Sequence, residues 1–129
     1  MKLLLDTHSL LWWFNDNPKL GKQARDLIAD KRNVVLVSVA SFWEISIKNR
    51  IGKLEDSGSI VMREAQDSHF GILEIEAEHL EALEAFVPKP GHNDPFDHLI
   101  LIHALAQDAV LVTSDRYLRN YGVKCLGGN

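Results

Sequence analysis

Lys2–Phe14 reads KLLLDTHSLLWWF. The apolar run of Leu3, Leu4 and Leu5 is a buried strand. Asp6 and Thr7 end it, and an apolar segment from Leu10 to Phe14 follows with no Gly or Pro between, so the strand passes directly into a helix. A strand that feeds straight into a helix opens an α/β sheet.

The same alternation repeats outward from this stretch. Pro18 and Gly21 mark a turn, and Lys22–Asp30 carries Ala24, Leu27 and Ile28 at helical spacing. Val34–Val37 is β-branched and apolar, a second strand. Ser38–Ile51 follows as a helix stopped by Gly52. Ser59–Phe70 reads as a helix, Ile72–Ile75 as a strand and Glu78–Phe86 as a helix. Pro88, Pro90 and Gly91 form the clearest loop. Asp94–Gln107 opens with Asp-Pro and runs on as an apolar helix, Ala109–Thr113 is a strand, a short helix starts near Asp115, and Val123–Leu126 is the last strand. This order predicts a three-layer α/β/α sandwich on a mostly parallel central sheet, one domain over residues 1–129.

The 129 residues carry a formal net charge of −4 and a single cysteine, Cys125. This charge argues against a passive nucleic-acid binder held by a broad basic surface, but not against an enzyme that gathers carboxylates around cations. The lone cysteine and the lack of a signal-peptide core or long apolar span point to a cytoplasmic protein without a membrane segment.

Four acids draw the eye. Asp6 ends the first strand, Glu44 lies in the first turn of the helix after the second, and Asp115 follows the fourth. Parallel strands bring these three to one carboxyl edge, where open α/β folds bind ligands. Asp97 begins the helix that returns before the fourth strand, and a right-handed crossover brings its N-terminus to the same edge.

Each acid has a structural alternative: Ser41-x-x-Glu44 is a capping-box pattern, Glu44 precedes Lys48 by four, and Asp94 with Pro95 reads as an N-cap beside Asp97. Capping, however, does not require convergence. Carboxylates sharing a cleft repel one another unless a cation neutralises them, and oxygen ligands favour Mg²⁺ or Mn²⁺ over zinc.

The segments LLLDTHSLLW (3–12), SFWEISIKNRIGKL (41–54), HNDPFDHLILIHALA (92–106) and LVTSDRYLRNYGV (111–123) resemble, in order and spacing, the four acidic motifs of PIN-domain proteins of the VapC toxin type. The resemblance covers Lys2 to about Cys125. It implies a PIN-like fold, Asp6, Glu44, Asp97 and Asp115 as ligands of one or two Mg²⁺ or Mn²⁺ ions, and hydrolysis of RNA by a metal-activated water. It further implies that Thr7 and Ser114 help to orient phosphate or water, with a helix cap as the alternative for Ser114. An antitoxin and a second copy of the chain are the implied protein partners. His98 departs from the pattern, standing where members with DPFD usually carry Arg, and Asp94 is a fifth acid read as a cap.

His92, His98 and His103 match no zinc spacing, and His103 reads as a core residue. Trp12, Trp13, Phe14 and Trp43 read mainly as core, with any exposed part suited to a partner. Lys48, Arg50 and Lys53 could meet RNA phosphates, although a solvated helix face is the simpler reading. A phosphatase using Asp6 as nucleophile wants a second Asp where His8 stands. A binding-only scaffold is disfavoured because all four acids are present, and no P-loop or GxGxxG stretch supports nucleotide chemistry.

Overall fold

The computed structural model describes residues 1–127. Its strands are β1 (Lys2–Leu5), β2 (Val34–Ser38), β3 (Gly71–Leu73), β4 (Val110–Val112) and β5 (Cys125–Leu126). They form one sheet in the order β3-β2-β1-β4-β5, with every pairing parallel. The expected α/β/α sandwich is therefore present, on a sheet that is parallel throughout.

Side chains alternate across a strand, so the central strands feed two cores. Leu3, Leu5, Val35, Val37 and Val112 face one side and pack with α1 (Thr7–Phe14), α2 (Lys22–Ala29) and α4 (Gly58–Asp67). Leu4, Leu36 and Leu111 face the other, against Leu99, Ile100, Leu101 and Ala104 of α6 (Pro95–Gln107). Helix α5 (Ala77–Ala85) packs on α6. The nearly all-round apolar character of α6 follows from this double contact, with sheet below and α5 and α3 beside it.

Helix α3 (Val39–Arg50) leaves β2 without a loop and packs on α1, α4 and α6. Its approach to α4 demands a glycine: a Cβ on Gly58 would lie 1.9 Å from Ser46 Oγ and 2.5 Å from the Phe42 carbonyl oxygen. Trp43, in contrast to the expected core role, is 58% exposed and packs edge-to-face with Phe96 on α6, at 5.1 Å between ring centroids.

Two boundaries differ from expectation. Helix α1 starts at Thr7, because Asp6 itself caps it: the Ser9 N–H donates to Asp6 Oδ1 at 2.9 Å. Near Asp115 the chain forms a turn leading to one 3₁₀ turn, Leu118–Asn120, in place of a helix. No helix among the described residues is long and apolar enough to cross a membrane.

Candidate active site

Parallel strands place Leu5, Ser38 and Val112 at one edge, and the chain turns immediately after each. Asp6 is the single residue between β1 and α1, and 5% of it is exposed. Its Oδ1 takes the Ser9 N–H, and its Oδ2 accepts a 2.5 Å hydrogen bond from the Thr113 hydroxyl. Burial raises the Asp6 carboxyl above its ordinary value, against the lowering effect of those donors. The same Thr113 oxygen accepts from the Asp115 N–H at 2.9 Å, so one hydroxyl ties the first and last acids of the set together.

The sequence pattern points to Ser114, but it is the neighbouring Thr113 that reaches Asp6. Ser114 is exposed, while Thr113 is fully buried and still bonded to β5 through its N–H to the Leu126 carbonyl at 3.0 Å. Thr7, the other expected hydroxyl, donates to Ser41 Oγ at 3.0 Å inside the protein.

Glu44 sits in the second turn of α3, one turn later than expected. The reason is the cap: Ser38 accepts from the Ala40 N–H at 3.1 Å, so Ser41 lies within the helix and the Ser41/Glu44 capping box does not form. Glu44 is 6% exposed, and Lys48 reaches back one turn to its Oε2 at 2.7 Å. Lys48 is thereby turned to the acid, whereas Arg50 and Lys53 remain on the solvated face.

Asp94 caps α6, accepting from the Phe96 N–H at 2.9 Å, with Pro95 at the first helical position. Asp97 follows in the first turn. Burial is the main cause that pushes its carboxyl up to about 7; the negative charges of Asp94, Glu44 and Asp115 add to it, and a hydrogen bond from His92 opposes them. Glu44 and Asp115 thus both act on Asp97, and Asp6 is tied to Asp115 through Thr113.

One nitrogen joins the acids. A ring nitrogen of His92, an Asp97 carboxylate oxygen and an Asp115 carboxylate oxygen all lie within 4.8 Å of one another. Nothing in the spacing of His92, His98 and His103 predicts this, and the three do not converge. His98 turns its Nε2–H to the His92 carbonyl at 2.8 Å. His103 is fully buried, hydrogen-bonded to Ser38 Oγ at 2.9 Å and the Glu74 carbonyl at 3.0 Å, the core role expected of it.

Comparison with curated protein sequences gives no match. Among solved structures, the chain is similar to one in the VapBC2 complex of Rickettsia felis bound to a promoter DNA fragment, with TM-score 0.69 and 18% identity over 98% of each chain. It is similar to one in the DNA-bound VapBC of Salmonella typhimurium, with TM-score 0.67 and 17% identity over 100% of this chain and 99% of that one. A chain of VapBC-1 from nontypeable Haemophilus influenzae aligns with TM-score 0.64 and 18% identity, covering 99% of this chain and 98% of that one. At such identities the likeness establishes the fold alone. The family model described as PIN domain matches residues 3–124, nearly the whole chain. The chain belongs to the PIN domain family.

Proposed function

We propose that this chain is a divalent-metal-dependent endoribonuclease, the toxin of a VapC-type toxin–antitoxin pair acting in the cytoplasm. The observation that carries the reading is the approach of Asp97 to Glu44 and Asp115, whose charges help hold its proton up to about 7. Carboxylates crowded in this way are relieved by a cation. Membership of the PIN family and likeness to chains of VapBC complexes support the same assignment.

The residues fit Mg²⁺ or Mn²⁺. Asp6, Glu44, Asp97 and Asp115 are the proposed ligands, a mainly oxygen donor set suited to hard divalent ions. When bound, the cation supplies a Lewis acid for the phosphate and an acidified water as nucleophile. The chain's residues supply order and charge. Ser9 and Thr113 fix the Asp6 carboxylate in one orientation. Lys48 holds Glu44 and offsets its charge. Asp97 gives up its proton as the site fills, so affinity rises with pH. Ser114, exposed beside Asp115, is the proposed contact to a phosphate oxygen. Tyr117 is 57% exposed and tied by its N–H to Asp115 Oδ1, an aromatic face on which an unpaired base can stack. Attack at phosphorus with departure of the 3′-oxygen leaves a 5′-phosphate and a 3′-hydroxyl.

Trp43 on α3 and Ile51 just past its end are both more than half exposed and suit an antitoxin segment or a second copy of the chain. The test is cleavage of total RNA by purified, antitoxin-free protein in Mn²⁺ or Mg²⁺ against EDTA, with Asp6→Asn beside it. Discrete metal-dependent fragments absent with the variant are expected. Intact RNA from folded protein, or cleavage retained by the variant, overturns the assignment.

A further inference from the structure

We propose that His92 is a nitrogen ligand of the same cation site, which gives the site a preference for Mn²⁺ over Mg²⁺. This rests on the metal-dependent reading above and extends it to a residue other than the four acids.

The geometry of the ring carries the inference. His92 Nε2 stands 3.4 Å from Asp97 Oδ2, and a ring nitrogen of His92, an Asp97 oxygen and an Asp115 carboxylate oxygen lie within 4.8 Å of one another. A charge-assisted N–H···O bond closes to roughly 2.7–2.9 Å. The pair is therefore looser than a hydrogen bond formed for its own sake. Two donors at right angles around an ion at about 2.1 Å are ~3 Å apart, and opposed donors ~4.2 Å, and the 3.4 Å between His92 Nε2 and Asp97 Oδ2 falls in that range.

The ring is oriented by Tyr121, and its surroundings are themselves tied down. Tyr121 Oη lies 2.8 Å from Nδ1, which leaves Nε2 as the nitrogen facing the acids. The Lys89 N–H donates to that same Tyr121 oxygen at 2.9 Å, and His98 holds the His92 carbonyl. Only 10% of the His92 side chain is exposed. A partner on the far nitrogen that fixes ring orientation is the usual support of a ligating histidine. His98, where the family pattern has Arg, is spent on this support and does not face the acids.

A nitrogen donor also changes which ion is favoured. Imidazole suits transition metals, whereas Mg²⁺ takes oxygen almost exclusively. Mn²⁺ should gain from His92 and Mg²⁺ should gain little.

The experiment is pulsed EPR of Mn²⁺ bound to the whole purified chain, with Mn²⁺ and Mg²⁺ affinities from calorimetry for wild type and His92→Gln. Wild type is expected to show nitrogen modulation from a directly bound imidazole. His92→Gln, checked for folding by circular dichroism, should lose that signal and bind Mn²⁺ about tenfold more weakly, with a smaller change for Mg²⁺. Mn²⁺ bound to wild type without nitrogen modulation overturns the role of His92 and leaves the acidic site standing, and needs no variant to show it. Modulation that persists in His92→Gln also overturns it. No Mn²⁺ binding at millimolar metal overturns both readings.

Discussion

Asp97→Asn should make the metal-free protein more stable at neutral pH while removing its activity. The Asp97 carboxyl is raised from an ordinary 3.8 to about 7, so the folded state holds a proton that the unfolded chain releases. A folded value above the unfolded one means that stability falls as pH rises from about 3.8 to about 7 and is level beyond. About three units at 1.36 kcal/mol each set a ceiling of ~4 kcal/mol. The side chain is 21% exposed and shares its charge with three neighbours, so screening reduces the expected penalty to ~1–2 kcal/mol. For a chain of this length that is about 4–7 °C in Tm. Thermal unfolding in EDTA should show the variant melting above wild type at pH 8, with a gap at pH 5 less than half as large. Millimolar Mn²⁺ should close the gap by stabilising wild type alone. A gap of the same size at every pH, or a variant less stable than wild type at pH 8, would refute the reasoning.

Thr113→Val removes the hydroxyl that joins Asp6 to the Asp115 backbone. It should cost ~1–3 kcal/mol in denaturant unfolding and lower kcat at least tenfold with little change in KM for RNA. His103 has its basicity lowered by burial, so the stability it contributes is present above about pH 6.5 and is lost as pH falls below that value. His103→Leu should flatten the stability curve between pH 6.5 and 5 and cost ~1–3 kcal/mol at pH 7.5, because Ser38 and the Glu74 carbonyl lose their partner. Urea titrations across that range check both parts.

Much of this structure is legible from local pattern. Runs such as Leu3–Leu5 and Val35–Val37 are strands because they are buried on both faces of a parallel sheet, and Asp94-Pro95 starts α6 where capping chemistry puts it. The edge shared by Asp6, Glu44 and Asp115 follows from parallel topology alone. What local pattern misses depends on contacts between distant segments. Two serines, Ser38 and Ser41, compete to cap α3, and the nominal capping box favours the wrong one; β2 runs on to Ser38 and turns there, which moves Glu44 into the second turn. Thr113 rather than Ser114 reaches Asp6 because β5 keeps Thr113 in the sheet while Ser114 begins the exposed turn. His92 precedes the helix cap, where helical spacing says nothing about direction, and its ring is oriented by Tyr121, 29 residues further on.

The most direct test of the central claim is the chemistry of the cut ends. RNA cleaved by the purified chain in Mn²⁺ should carry 5′-phosphate and 3′-hydroxyl termini, read by ligation-dependent sequencing with and without phosphatase and kinase treatment, and EDTA should abolish the cuts. Termini ending in a 2′,3′-cyclic phosphate, or cuts that persist in EDTA, would show that the ribose hydroxyl attacks without a cation, and would contradict the assignment of the acidic cluster as the metal-dependent centre.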